Sequence, residues 1–201
     1  MSKQRVNTQF TIHPILANRW SPRAFDSTKP VEHEKLLACL EAARWAPSCF
    51  GDEPWRFIVC DRAFDKGTWE QMLACLAPKN QEWAKNAPVL LLACSASTFR
   101  KNGNPNQWGQ YDTGAASISL CLQAESLGLV THQMGGFDAD SARKTFSIPD
   151  AFMPMAAMAL GYQADADILD EGFHNIEIAE RSRQPLGACF FAGSWNKPVS
   201  K

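Results

Sequence analysis

Apolar residues recur in this chain with two periods, one that winds into helices and one that lies flat in strands. From Val31 to Ala46, Leu36, Leu37, Leu40 and Ala43 form a stripe at helical spacing, with Glu32 and Glu34 in the first turn, where the helix dipole favours acids. Pro47 ends this helix, because the residue before a proline avoids helical backbone. Trp55 to Cys60 alternates and is rich in aromatic and β-branched residues, as a strand is. Phe64 to Leu76 is helical; Pro78 breaks it, and Gln81 to Asn86 make a short further turn. Pro88 to Cys94 reads as a strand buried on both faces, followed by a polar loop over Lys101 to Gln107. A long helix covers Trp108 to Leu127. Leu129 to Gln133 is a short strand entering Met134-Gly135-Gly136-Phe137-Asp138, Ala139 to Phe146 a short helix, and Met153 to Tyr162 a strand apolar throughout. A short helix around Ile12 to Ala17 precedes these elements. The acidic stretch Asp165 to Glu171 reads as a linker or extension.

The long helix carries two stripes. Trp108, Tyr111, Ala115, Ile118 and Leu122 are mostly large, whereas Gly114, Ser117, Cys121, Ala124 and Gly128 are small. A helix apolar or small nearly all round belongs in the middle of something. The small stripe lets another backbone come close, and a second subunit and an intramolecular neighbour explain it equally well.

Composition narrows the class. With 201 residues, 45% hydrophobic and 20% charged, the chain reads as one globular domain able to bury a core. A net charge of −1 offers no basic field, so nucleic acid and membrane are not expected partners. The amino end lacks the apolar core of a signal peptide, and the longest apolar run, Ala87 to Cys94, is too short to cross a bilayer. Seven cysteines form no CxxC pair; Cys39, Cys60, Cys75, Cys94 and Cys121 sit in apolar runs and read as reduced core thiols of a cytoplasmic protein. The four histidines are dispersed without metal-ligand spacing, so no metal is expected. No GxSxG, Walker or GxGxxG motif is present, which leaves hydrolase and P-loop readings without support.

What remains is a set of loops. Ala46-Pro47-Ser48-Cys49-Phe50-Gly51-Asp52-Glu53-Pro54 joins a helix to a strand through small, polar and glycine residues that suit close approach to a flat ligand. Arg19-Trp20-Ser21-Pro22-Arg23 alternates two cations around a hydroxyl, and in extended backbone Arg19, Ser21 and Arg23 share a face. Arg181-Ser182-Arg183 repeats the device near the other end. The Gly135-Gly136 pair fits a tight turn or a ligand contact. Brought together, these segments make a phosphate clamp beside a planar ring, since a guanidinium fork gives paired, charge-assisted bonds to phosphate. A phosphorylated planar ring suggests flavin mononucleotide (FMN).

Six signals in order resemble the FMN-dependent nitroreductase family, over about Ile15 to Pro198. They are Arg19-Trp20-Ser21-Pro22-Arg23, Ala46 to Trp55, Asp112-Thr113-Gly114-Ala115-Ala116, Gly135 to Asp138, Leu160-Gly161-Tyr162, and Arg181 to Pro185. The resemblance implies an α+β nitroreductase-like fold with a central mixed or antiparallel sheet flanked by helices. It also implies an intertwined homodimer with FMN at the subunit seam. Residues 1–201 then form one domain, with 1–18 an N-terminal arm or helix and 164–201 a C-terminal extension wrapping the partner. It implies phosphate ligands at Arg19, Arg181 and Arg183, with Trp20 and Ser21 on the same segment, and a cation, Arg23, beside the pyrimidine edge. Pro47, Ser48, Cys49 and Gly51 match the loop along the ring from the other subunit. Gly135 matches the residue whose backbone faces flavin N5, with Met134 and Gly136 beside it and Asn80 at the polar edge. Phe50 and Trp108 are candidates for the substrate face. No side chain is expected to act as a catalytic acid or base.

The implied mechanism is ping-pong: NAD(P)H delivers hydride to N5 and leaves, and a small acceptor such as a nitroaromatic or quinone then takes the electrons. Dehalogenase-like or flavin-destructase-like chemistry and a non-catalytic flavin-binding protein are the alternatives. The chain departs from the family at Gly51-Asp52-Glu53, where Asn-x-Gln is common. Glu53 there would be repelled by reduced flavin unless it pairs with Arg23 or Arg56. Cys49 stands where the family has serine.

Overall fold

The strand signals resolve into a single sheet in the computed structural model, which describes Val6 and residues 8–199. Its strands are β1 (Trp55–Asp61), β2 (Val89–Ala96), β3 (Val130–Met134) and β4 (Phe152–Gly161), in the order β1-β2-β4-β3. All three pairings are antiparallel, which resolves the expected mixed or antiparallel sheet in favour of the latter. The β2–β4 register slips between Ala93 and Cys94, opposite Pro154. Proline has no ladder N–H to give, and an irregularity is where a sheet tolerates it.

Helices cover both faces. On one, α2 (His33–Arg44) and α5 (Gly109–Ser126) pack through Leu36, Cys39, Ala43, Ala116, Leu120 and Ala124 against Val89, Leu91, Met158 and Leu160. On the other, α3 (Lys66–Cys75), α4 (Pro78–Ala84) and α6 (Ala139–Thr145) meet Leu90, Leu92, Cys94, Ala157 and Ala159. Alternate residues of β2 and β4 therefore feed opposite cores, as a two-residue repeat requires. This is why both strands read as unbroken apolar runs.

Two elements differ from the sequence expectation, and a third settles a point that the spacing leaves open. Pro78 starts α4 rather than only ending α3, since a first-turn proline lacks only an N–H that had no helical partner. The acidic stretch at 165–171 is no plain linker. Asp165 caps a short 3-10 turn (Ala166–Ile168), and α7 (Glu171–Ile178) follows directly. The large stripe of α5 points away from the core: Trp108, Tyr111 and Ile118 are exposed, while the small residues Ser117, Cys121 and Ala124 are buried. A short α1 (Pro14–Asn18) and a last turn, α8 (Leu186–Cys189), complete the helices. Among the described residues no helix is long and apolar enough to cross a membrane.

Candidate functional site

Segments near the two ends of the chain meet. Helix α1 begins at Pro14, capped by His13, whose Nδ1 accepts from the Ile15 N–H, and it ends at Arg19. Beyond α7 the chain runs back over that end. The Arg181 guanidinium donates to Ala17 O at 3.2 Å and Arg19 O at 3.0 Å, carbonyls that a helix C-terminus leaves without helical partners. Around this junction lies a cavity of about 530 Å³, lined by Arg19, Arg181 and Arg183 together with Phe10, Leu16 and Leu186. Burial, and after it the charges of Arg19 and Arg183, hold the Arg181 pKa below the usual guanidinium value. Three cations on one cavity repel one another unless an anion joins them.

The rest of the N-terminal segment lies outside this cavity's lining. Trp20, Ser21 and Arg23 are half-buried and do not line it. The Arg23 guanidinium lies over the Phe173 ring, 5.9 Å from its centroid. His132 on β3 meets Pro22 O through Nδ1 at 3.0 Å, and burial pushes its pKa down to about 4. The ring is therefore neutral near pH 7, and since a carbonyl only accepts, Nδ1 carries the proton. Glu177 accepts from the Arg23 and Ala24 N–H groups.

The loop after α2 is a second, separate unit. A 3-10 turn covers Cys49–Gly51, and Phe50, Gly51 and Glu53 take φ of 55°, 64° and 52°. Such left-handed backbone is strained for Phe and Glu and needs support. Two buried carboxylates provide it. Asp112, on the first turn of α5, accepts the Cys49 N–H at 3.0 Å. Asp52 accepts the Arg100 N–H at 2.8 Å and the Asn106 side-chain amide at 3.4 Å, fastening the loop to the one before α5. Ser48 Oγ closes the turn by accepting from the Glu53 N–H. Pro47, Ser48, Cys49 and Gly51 do not line the arginine cavity. Phe50, 93% exposed, meets the edge of Phe99, and Trp108 is also exposed. Arg56 takes the main-chain oxygen of Glu53, not its carboxylate, and among the described residues neither Arg56 nor Arg23 forms an ion pair with Glu53.

At the end of β3, Met134 is buried and the glycines diverge in role. Asn80 Nδ2 donates to Gly136 O at 2.9 Å, and a Cβ on Gly136 would lie 2.7 Å from that nitrogen. Gly135 is exposed and a Cβ there would meet nothing. The structure thus joins Asn80 to the glycine loop and Arg19 to Arg181 and Arg183. Neither the glycine loop nor the 47–53 loop lines the arginine cavity within one chain.

Sequence reasoning missed four side chains: Asp52, Asn106, His132 and Glu177. Asp52 sits inside a quoted motif, where it reads only as part of the departure at Gly51-Asp52-Glu53. The thiols follow their settings. Cys39 and Cys94 are pushed up to about 11 and Cys60 to about 12, chiefly by burial, while Cys49 is half-buried and Cys189 exposed.

Fold and site together define a class: α+β proteins with an antiparallel sheet between helical layers and a cavity whose arginines come from segments near both ends of the chain. Within it, the chain belongs to the nitroreductase family, whose model matches residues 16–162. It is similar to a crystal structure described as an oxidoreductase containing FMN, at 36% identity over 98% of each chain with a TM-score of 0.90. A Methanothermobacter thermautotrophicus protein, provisionally named NADH dehydrogenase/NAD(P)H nitroreductase, is 32% identical over 68% of this chain and 70% of its own. The major NAD(P)H-flavin oxidoreductase of Aliivibrio fischeri is 29% identical over 45% of this chain and 43% of its own.

Proposed function

We propose that the protein is an FMN-dependent oxidoreductase that uses NAD(P)H to reduce small acceptors, with nitroaromatics and quinones as the expected class. The observation that carries this reading is the cradle of Arg19, Arg181 and Arg183 on one cavity. The donor set fits FMN: three guanidiniums crowd one another, and a phosphate monoester carrying close to two negative charges relieves that crowding. When bound, FMN supplies two-electron chemistry, taking a hydride from NAD(P)H at one encounter and reducing the acceptor at the next.

The chain's own residues bind and orient. Arg19, Arg181 and Arg183 hold the phosphate, and Arg23 sets a positive charge against the polar edge of the ring. Asn80 fixes the glycine loop through Gly136, and Gly135, with open space where a Cβ would stand, leaves its backbone free to face the cofactor. The Pro47–Gly51 loop covers the ring from a second copy, with Phe50 and Trp108 on the acceptor side. A homodimer is supported by the open apolar surface of Trp108, Tyr111 and Ile118 on α5 beside Leu37 and Trp45 on α2. Residues 1–201 act as one cytoplasmic domain, with 164–201 reaching around the partner.

The test is the visible spectrum of the purified protein. Two flavin bands that co-elute with a dimer on gel filtration, and NAD(P)H oxidation that rises with menadione or nitrofurazone, are expected. Replacing both Arg19 and Arg183 by Ala is expected to release FMN from a folded chain. Flavin retained by that variant would remove the cradle from the reading, and bound flavin without NAD(P)H oxidation would leave only a binding protein.

A further inference from the structure

The segment bearing Arg19 and Arg23 is held by elements remote in sequence. Glu177, 3% exposed on α7, accepts the Arg23 N–H with both carboxylate oxygens, at 3.0 and 2.9 Å, and the Ala24 N–H at 3.1 Å. Phe173 lies four residues earlier, on the same face of α7, and carries the Arg23 guanidinium over its ring. Helix α7 therefore grips Arg23 twice, by its main chain through a carboxylate and by its side chain through an aromatic face. His132 fixes the neighbouring Pro22 carbonyl at 3.0 Å. Burying a carboxylate is costly, and neutral side chains suffice for an ordinary turn. An acceptor-only group with two oxygens is suited to gathering adjacent N–H groups into one fixed geometry.

We propose that Glu177 is a positioning residue of the flavin site, acting through Arg23 to set the reduction potential of bound FMN. This rests on the FMN reading above. A cation held in place before reduction stabilises the charge that reduction creates without reorganising, whereas a loose one must be ordered at that moment. Loosening Arg23 therefore makes the bound flavin harder to reduce.

The experiment uses the full-length holoprotein with Glu177→Gln, which keeps the shape but turns an amide N–H toward one of the N–H donors. Three quantities are measured: FMN affinity by fluorescence quenching, the midpoint potential against a reference dye, and the melting temperature of the apoprotein. The expected result is about a tenfold loss of FMN affinity and a more negative potential. In an Arg23→Ala background, Glu177→Gln is expected to move the potential no further, because the two act as one unit. A lowered melting temperature with an unchanged potential would make Glu177 a fold staple and overturn the inference, as would full additivity with Arg23→Ala. If Glu177→Gln does not fold, Phe173→Leu decides, with a more negative potential expected and an unchanged one overturning. Wild-type protein that binds no FMN defeats the reading of the site itself, a separate outcome from normal flavin behaviour in the variants.

Discussion

Arg181 donates to the main-chain oxygen of Arg19 across 3.0 Å, so a residue near the end of the chain closes a helix near its start. The fork reaches Ala17 as well, which a lysine cannot match with one compact ammonium. Arg181→Lys is therefore expected to weaken FMN binding about tenfold and to make the segment after α7 easier to cleave with trypsin. Among the described residues the Arg183 side chain donates to the adjacent Ser182 carbonyl, and Arg183→Lys is expected to lose less. Equal losses in a fluorescence titration would show that Arg181 contributes only charge.

Gly135 and Gly136 should separate under the same substitution. Gly136→Ala drives a methyl into the Asn80 amide and breaks its bond to the loop, lowering stability by about 1–3 kcal/mol. Gly135→Ala meets nothing in the chain, so its unfolding midpoint should stay within about 0.5 kcal/mol of wild type while FMN affinity falls. Urea titration of the apoproteins beside flavin titration checks both.

Asp52→Ala removes the acceptor for the Arg100 N–H and the Asn106 amide, at an expected cost of about 2–3 kcal/mol. Asp52→Asn keeps the shorter bond, since its oxygen still accepts the Arg100 N–H, and loses the longer one, since its amide faces that of Asn106, which cannot turn over without losing the Trp108 N–H that its own oxygen accepts. Thermal melts should therefore place Asp52→Asn between wild type and Asp52→Ala. An Asp52→Ala protein as stable as wild type would mean that the neighbouring loop is held elsewhere.

Acid should destabilise the fold in two stages. Burial holds His132 at about 4 when folded against 6.5 when free, so the unfolded chain binds the extra proton between those values. Stability is full above about pH 6.5 and falls as pH drops toward 4, by about 2 kcal/mol for a half-buried ring. The hydrogen bond from Tyr162 holds Glu32 at about 2 against 4.5, and that contribution disappears lower, between those values. Urea midpoints measured from pH 7 to 3 should show both slopes, with His132→Asn flattening the first and Tyr162→Phe the second.

The sheet was legible because β2 and β4 are apolar on both faces and β1 alternates. The direction of a helix stripe was not. Spacing groups Trp108, Tyr111 and Ile118 together but does not say whether they face the core, and they face outward. Helix α7 escaped notice because Asp165, Asp167 and Asp170 dominate the local composition while its apolar positions come after them. The arginine pairs were visible at both ends, and their meeting was an inference that geometry had to supply. Glu177 left no trace, since its bonds span 154 and 153 residues and its neighbours in sequence say nothing of them.

The distribution of thiols has a practical consequence. Five of the seven cysteines are buried, so a maleimide dye at neutral pH has two attachment points, Cys49 and Cys189. Cys189→Ser leaves a single handle on the strained loop. Mixing donor- and acceptor-labelled batches of that variant tests the proposed homodimer, whose subunit exchange would give an energy-transfer signal without flavin or substrate.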